Sequence, residues 1–388
     1  MIIISMLDND LYKFTMQQAV LHQHPSAIVE YGFKCRTEGI DFRPYEGEII
    51  KNVNKMCREL QFEKEDLEYM GDTMKFLKLD YLQFLKLYRH NYDYINIKTD
   101  DKGTLHININ GPWLHTILFE VPVLSIISQV YSTDMSQDYG LADKRTLAKA
   151  EMIKEFLGFF FAEFGGRRRH SVEAQRRALN IFERECPKNL VGTSNVMMAK
   201  ELGLKSIGTM AHEWLQAHQA LYRIEESQFM ALENWTKEYR GDLGIALSDV
   251  IGLKYFLHDF DLFFSKLFDG SRQDSGDPYG YGHTLINHYK SMRIDPSTKS
   301  IVFSDGLTFK HALAIYKVFR GLIKQSFGIG TYITNDFDFK ALQIVLKMMR
   351  CNGQPVAKIS DSPKKGMCTD QSYADYLQKA FDRRINGG

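Results

Sequence analysis

From Phe159 onward the chain repeats one pattern: a short apolar run, a break into small or polar residues, then a stretch with helical spacing. The runs are Phe159–Phe164, Leu190–Ser194, Ser206–Met210, Gly244–Ser248, Leu267–Arg272, Ile301–Ser304, Ser326–Gly330 and Pro355–Ile359. Strands alternating with helices mean βα units and a mainly parallel sheet. About eight such units suit a closed βα barrel, whose active residues gather at the carboxyl ends of the strands. Here those ends carry Arg167, Ser194, His212, Asp249, Arg272, Asp274, Asp305 and Gly330. Upstream, from Leu7 to about Tyr131, helical patches mix with the alternating run Leu105–Asn110, which reads as a strand stopped by Gly111-Pro112. The expected fold class is α/β: an irregular βα barrel beside a smaller α+β domain.

At 388 residues the chain is long enough for one large and one smaller core. Its 49 basic and 48 acidic residues nearly cancel. That balance argues against a nucleic-acid or membrane-surface partner, so any anionic ligand needs a local cationic cluster. The five cysteines are scattered without metal-ligand spacing, which fits reduced thiols in the cytoplasm. The first residues lack the basic flank and apolar length of a signal peptide. The apolar stretch Trp113–Val130 is interrupted by His115, Glu120 and Pro122, and is expected to be a buried helix, not a membrane span.

Four segments carry candidate chemistry. Gly208-Thr209-Met210-Ala211-His212-Glu213-Trp214 leaves a strand and opens a helix. An imidazole held there is near N–H groups that favour phosphate and is a competent phosphoryl acceptor, although a capping or core histidine would look the same. Phe164-Gly165-Gly166-Arg167-Arg168-Arg169 is the cationic cluster that the charge balance calls for. Its forked guanidinium groups suit diphosphate oxygens, while a solvated basic face is the ordinary alternative. In Phe327-Gly328-Ile329-Gly330-Thr331 the glycines allow a phosphate nest or a plain tight turn. Arg272-Gln273-Asp274-Ser275-Gly276-Asp277-Pro278 sets a cation and two carboxylates on one turn, for ribose hydroxyls or Mg²⁺ waters. A structural Asx turn is the alternative there, especially at Asp277.

Together with Leu7-Asp8-Asn9-Asp10-Leu11-Tyr12-Lys13, Gly192-Thr193-Ser194-Asn195 and Lys358-Ile359-Ser360-Asp361-Ser362-Pro363, these segments resemble the nicotinate phosphoribosyltransferase family in its shorter bacterial form, over nearly the whole chain. The resemblance implies a type II phosphoribosyltransferase-like fold. Residues 1–131, joined by the tail from about 365 to 388, would form the α+β domain, and 132–364 the barrel. It also implies the reaction: nicotinate attacks C1 of 5-phosphoribosyl 1-diphosphate, and ATP hydrolysis through a phosphohistidine at His212 drives it. Tyr12 and Phe164 would sandwich the pyridine ring. Arg167 and Arg272 would face the nicotinate carboxylate and the phosphoribosyl phosphates, with Arg168 beside them. Asp305, Gly306, Gly328, Gly330 and Thr331 would hold the ribose and its 5′-phosphate. Asp249 and Asp274 would lie near His212 or the ribose. Mg²⁺ and ATP are the implied cofactor and co-substrate, with no metal ligand assigned. Relatives of this class include dimers that share active sites and monomers, so a homodimer stays open.

Similar nicotinamide enzymes have aspartate where this chain has Ser194. A carboxylate there would repel the acid substrate. Two unit charges about 4 Å apart repel by roughly 4 kcal/mol at an effective dielectric of 20. Ser194 therefore points to nicotinate. A non-catalytic phosphate-binding barrel and a phosphohistidine carrier are the rival readings, and neither needs Tyr12, Arg272 and His212 together.

Overall fold

A computed structural model describes residues 1–362, 366, 368 and 370–386; Pro363 and the tail boundary expected at 364/365 lie outside them. Twelve strands are described: β1 Ile28–Cys35, β2 Ile95–Thr99, β3 Leu105–Pro112, β4 Phe161–Glu163, β5 Leu190–Thr193, β6 Arg240–Leu243, β7 Ile245–Leu247, β8 Gly270–Gln273, β9 Ser300–Phe303, β10 Lys324–Ile329, β11 Ile344–Cys351 and β12 Gln354–Pro355. The chain divides into two compact units, Met1–Gly208 with Ile329–Lys347, and Thr209–Gly328 with Met348–Gly388. It passes between them after Gly208, inside β10 and inside β11.

In the first unit β1, β3 and β2 run antiparallel, with Tyr31 opposite Ile109 and Ile97 opposite Ile107. Leu105, Ile107 and Ile109 face inward while His106, Asn108 and Asn110 are exposed, the two-residue period read from the sequence. Helix Leu11–Gln23 is buried from Leu11 through Val20, so it has no solvent stripe and fills a core. The helical stretch Trp113–Thr133 is apolar enough to cross a membrane by length and composition, but 89% of its most apolar window is buried within the protein. It is a core element, as its interrupting polar residues indicated. Beside this lies the parallel pair β4–β5.

The second unit is built on parallel strands β7, β8, β9 and β10 in sequential register: Ile245 beside Gly270, Gly270 beside Ser300, and Ser300 beside Lys324. Helices Pro278–Ser291 and Phe309–Phe319 connect β8 to β9 and β9 to β10. Close strand packing explains Gly270, where an added Cβ would meet the Ser300 carbonyl oxygen at 1.9 Å.

Six of the eight apolar runs are thus parallel strands, and two are not. Ser206–Met210 lies beside β5 through a single parallel bridge from Thr193 to Ser206. Pro355–Ile359 begins on the last residue of β12, the return arm of an antiparallel hairpin whose turn residues Asn352 and Gly353 have φ of 49° and 77°. Asn-Gly with positive φ is the signature of a tight hairpin turn, a local signal that outweighed the apolar rhythm. The fold is mixed α/β, a parallel sheet with a separate antiparallel one.

Candidate active site

Each unit carries a cluster of buried polar groups at the ends of its parallel strands. In the first, the chain before helix Leu11–Gln23 lies along the end of β5. Leu11 N–H donates to Ser194 O, Val196 N–H to Asn9 O and Met197 N–H to Leu7 O. That pairing brings Asp10 to Ser194, whose Oγ donates to Asp10 Oδ1 at 2.7 Å. Asp10 Oδ2 and Tyr12 Oη are both buried and have no partner other than each other. Burial foremost holds the Tyr12 phenol well above its usual range, so it is neutral.

The three consecutive arginines separate by role. Arg169 is fully buried and forked onto Asp8, at 2.7 and 2.6 Å. Asn195 and Gln175 complete that network. Arg168 donates to Ile344 O and to Gln343 Oε1, both at 3.0 Å. Arg167 sits 6.0 Å from the centre of the Tyr12 ring and 3.3 Å from Glu120 Oε1. Glu120 also pairs with the fully buried Lys13 at 2.5 Å. Burial alone would raise the Glu120 carboxyl, but Lys13, Lys347 and Arg167 pull it down to about 2.

Phe164 follows β4, half-buried, with its N–H on Ile329 O. The glycines on either side of this loop contact are explained by packing. A Cβ on Gly165 would meet Thr334 Oγ1 at 2.2 Å, and one on Gly330 would lie 3.1 Å from Phe164 O. Gly330 has φ −107°, and Gly328 lies inside β10. The successive left-handed and right-handed residues of an anion nest are therefore not formed at Gly330. Thr331 starts a four-residue helix, Thr331–Thr334.

In the second unit His212 opens the helix His212–Leu221. Its Nε2 lies 3.0 Å from Asp249 Oδ1 and 3.5 Å from Asp274 Oδ2. Asp249 and Asp274 follow the carboxyl ends of β7 and β8, as the βα pattern required. The sequence alone did not mark the fourth member, Lys358. Its Nζ is 2.7 Å from His212 Nε2 and 2.7 Å from Asp249 Oδ2. Ser275 donates to Asp249 Oδ2 at 2.6 Å and Ser304 to Asp274 Oδ1 at 2.9 Å. Burial and then the Lys358 charge pull His212 down to about 4, so its ring is neutral near pH 7. Burial would raise Asp249, but His212 and Lys358 outweigh it and hold the carboxylate well below its usual range.

Arg272 stands 3.8 Å from Asp274, and its Nε is buried without a partner. Asp305 and Gly306 form the turn after β9, next to Ser304, with Gly306 at φ 57°. Asp277 has the structural role: it caps helix Pro278–Ser291 through Tyr279 and Gly280 N–H at 3.2 and 2.8 Å. His212, Asp249 and Asp274 offer ligand atoms within 4.8 Å of one another, a spacing open to a metal ion. The Lys358 ammonium already stands where that cation would, so a resident metal does not fit this arrangement.

The family model described as the nicotinate phosphoribosyltransferase (NAPRTase) family matches residues 159–385, and the model of its N-terminal domain matches residues 7–128. The chain belongs to the nicotinate phosphoribosyltransferase family. It is similar to a nicotinate phosphoribosyltransferase of Xylella fastidiosa (strain 9a5c), 50% identical over 389 residues, with 98% of each chain covered. Another, from Acidovorax sp. (strain JS42), is 48% identical over 395 residues, 98% of this chain and 99% of the relative. Among solved structures, nicotinate phosphoribosyltransferase from Vibrio cholerae superposes with a TM-score of 0.94 at 37% identity, covering 98% of this chain and 94% of that one. The Porphyromonas gingivalis protein of the same name gives a TM-score of 0.94 at 32% identity, covering 98% and 100%. The α/β architecture implied by the resemblance is the one present.

Asp10, Lys13, Glu120 and Lys358 are the residues of these family clusters that single-motif reading passed over. Three of them stand inside the motifs that carried the resemblance, so charge within those motifs was the available signal. Glu120 had none beyond interrupting an apolar stretch.

Proposed function

We propose that this chain transfers the phosphoribosyl group of 5-phosphoribosyl 1-diphosphate to nicotinate, giving nicotinate mononucleotide and diphosphate, and couples the transfer to ATP hydrolysis through a phosphohistidine at His212. The coarser part rests on membership of the family, and the phosphohistidine on the pairing of a neutral, buried His212 with Asp249 at 3.0 Å. A neutral imidazole keeps a lone pair for phosphorus, and the carboxylate stabilises the ring once it carries the phosphoryl charge.

Tyr12 and Phe164 are assigned to the pyridine ring, with Ser194 at its substituent. Arg167 is the arginine of the triplet we assign to an anionic substrate, because Arg169 is committed to Asp8 and Arg168 to the chain at Gln343 and Ile344. Arg272, with an unpartnered buried Nε, is assigned to a second anion. Asp305, Gly306, Gly328, Gly330 and Thr331 remain the proposed ribose-phosphate residues. The reaction needs stabilisation of departing diphosphate oxygens and alignment of the ring nitrogen under C1, and the pyridine nitrogen needs no general base. Mg²⁺ enters as part of the substrate, carried by diphosphate and ATP. The unpaired state of all five cysteines supports a cytoplasmic setting.

Purified protein incubated with radiolabelled nicotinate, phosphoribosyl diphosphate and Mg²⁺, with and without ATP, is expected to form mononucleotide in both conditions and faster with ATP. No mononucleotide in either condition would sink the reading.

A further inference from the structure

His212 Nε2 has two neighbours that make opposite demands on it. Asp249 Oδ1, at 3.0 Å, only accepts hydrogen bonds, whereas the Lys358 ammonium, at 2.7 Å, only donates them. An imidazole nitrogen has one in-plane position, holding either a proton or a lone pair. It can satisfy Asp249 or Lys358, not both. The shorter contact is to the ammonium, whose second proton goes to Asp249 Oδ2 at 2.7 Å. With Lys358 seated, Nε2 is therefore the acceptor and the ring proton is on Nδ1, a nitrogen with no protein hydrogen bond among the described residues.

Lys358 is built into this position. Its neighbour Ala357 is gripped at both its N–H and C=O by the side chain of Gln219, 2.8 Å each, and Ile359 N–H donates to Val250 O at 2.8 Å. Gln219 belongs to the helix that His212 opens, and Val250 follows Asp249. The lysine, the histidine and the aspartate are thus tied to one another through their backbones. Lys358 is buried with its charge paired to Asp249, so this is not a surface lysine passing by.

We propose that Lys358 is a tautomer lock on His212: seated on Nε2 it keeps the Nδ1 lone pair protonated and the ring unreactive until an incoming phosphate draws the ammonium away. This rests on the phosphohistidine reading above. On release, Nδ1 gives its proton to water and Nε2 takes one from water, which it then donates to Asp249. The Nδ1 lone pair attacks the γ-phosphorus of ATP; the N–P bond forms, the bond to the bridging oxygen breaks, and ADP leaves with its electron pair. The lock makes attack by His212 wait on displacement of Lys358, which slows phosphorylation of the ring. Lys358 acts through His212 and is a positioning residue.

The test reads the tautomer directly. Nitrogen-15 spectra of histidine-labelled, nucleotide-free protein, with His212→Asn identifying the signal, are expected to show Nδ1–H in the wild type and Nε2–H in Lys358→Met. A wild type already in the Nε2–H form overturns the proposal, and so does an unchanged tautomer in the variant. The wild-type spectrum alone decides if the variant does not fold. In parallel, labelling by γ-³²P-ATP without nicotinate or phosphoribosyl diphosphate is expected to be about tenfold faster in Lys358→Met, the worth of one charge-assisted hydrogen bond. Equal rates contradict the lock. Labelling of neither protein would remove the phosphohistidine reading, while the spectra still decide what Lys358 does to the ring.

Discussion

Ser194 Oγ donates to Asp10 Oδ1 across 2.7 Å, so the residue that keeps a carboxylate out of position 194 rests directly against one. If nicotinate binds here as proposed, its carboxylate meets the Asp10–Ser194 pair and the cations of the same unit, Arg167 and Lys13. Ser194→Asp would set two carboxyls side by side, and one of them would hold a proton. That softens the repulsion felt by nicotinate. The expected outcome is about a hundredfold lower kcat/KM for nicotinate, short of the full Coulomb figure. Relative turnover of nicotinamide should rise. Steady-state rates with both pyridines check it, and an unchanged ratio would mean that Ser194 does not face the substituent.

The arginine triplet makes a paired test. Arg169 is fully buried and forked onto Asp8, so Arg169→Met leaves a carboxylate buried without its partner, an expected loss of about 3–5 kcal/mol in urea unfolding. Arg167→Met leaves Lys13 on Glu120 and should cost little stability. Its effect is expected in KM, raised about tenfold or more for an anionic substrate. If the two variants exchanged these phenotypes, the assignment of Arg167 would fail.

A histidine drawn down to about 4 stays neutral across the range in which an ordinary one becomes charged. The His212 ring of nucleotide-free protein, with Lys358 seated, is therefore expected to stay neutral between pH 7.5 and 5.5. A nitrogen-15 titration of the ring over that range checks it. A transition centred near pH 6.5 would show that the ring titrates normally.

His90 offers a stability test outside both clusters. It is buried, it packs 4.6 Å from the Phe119 ring, and burial, only partly offset by the Leu118 backbone, pulls it down to about 4. The unfolded chain binds the proton first, so His90 lowers stability progressively as pH falls from about 6.5 toward 4. The shift predicts a loss of about 2 kcal/mol between pH 7.5 and pH 5 from this group alone. His90→Phe is expected to remove that increment while keeping the aromatic contact. Urea midpoints of both proteins at the two pH values decide it.

Much of the second unit was legible in advance. Apolar runs followed by small or polar residues fixed β7, β8, β9 and β10, because strand and turn formation is governed locally. It also placed Asp249 and Asp274 at strand ends and His212 at a helix start. The same rhythm failed at Pro355–Ile359, where the Asn352-Gly353 turn sends the chain back antiparallel. It failed at Ser206–Met210 too, where one bridge replaces a strand. Apolar content does not distinguish a ladder from a single edge contact.

The sequence by itself determined which chemistry the chain carries: a histidine at a helix start, carboxylates after strands, arginines after a Gly-Gly turn, and the ordered motifs that mark the family. Only the tertiary structure decided who meets whom. Lys358 reaches His212 across 146 residues and Ser194 reaches Asp10 across 184. Three adjacent arginines that read identically were sorted by Asp8, Gln343 and Glu120. The reason is physical. Backbone propensity acts over a few residues, whereas a buried charge is settled by whichever partner the packed core brings within hydrogen-bond reach, and nothing in the linear spacing encodes that distance.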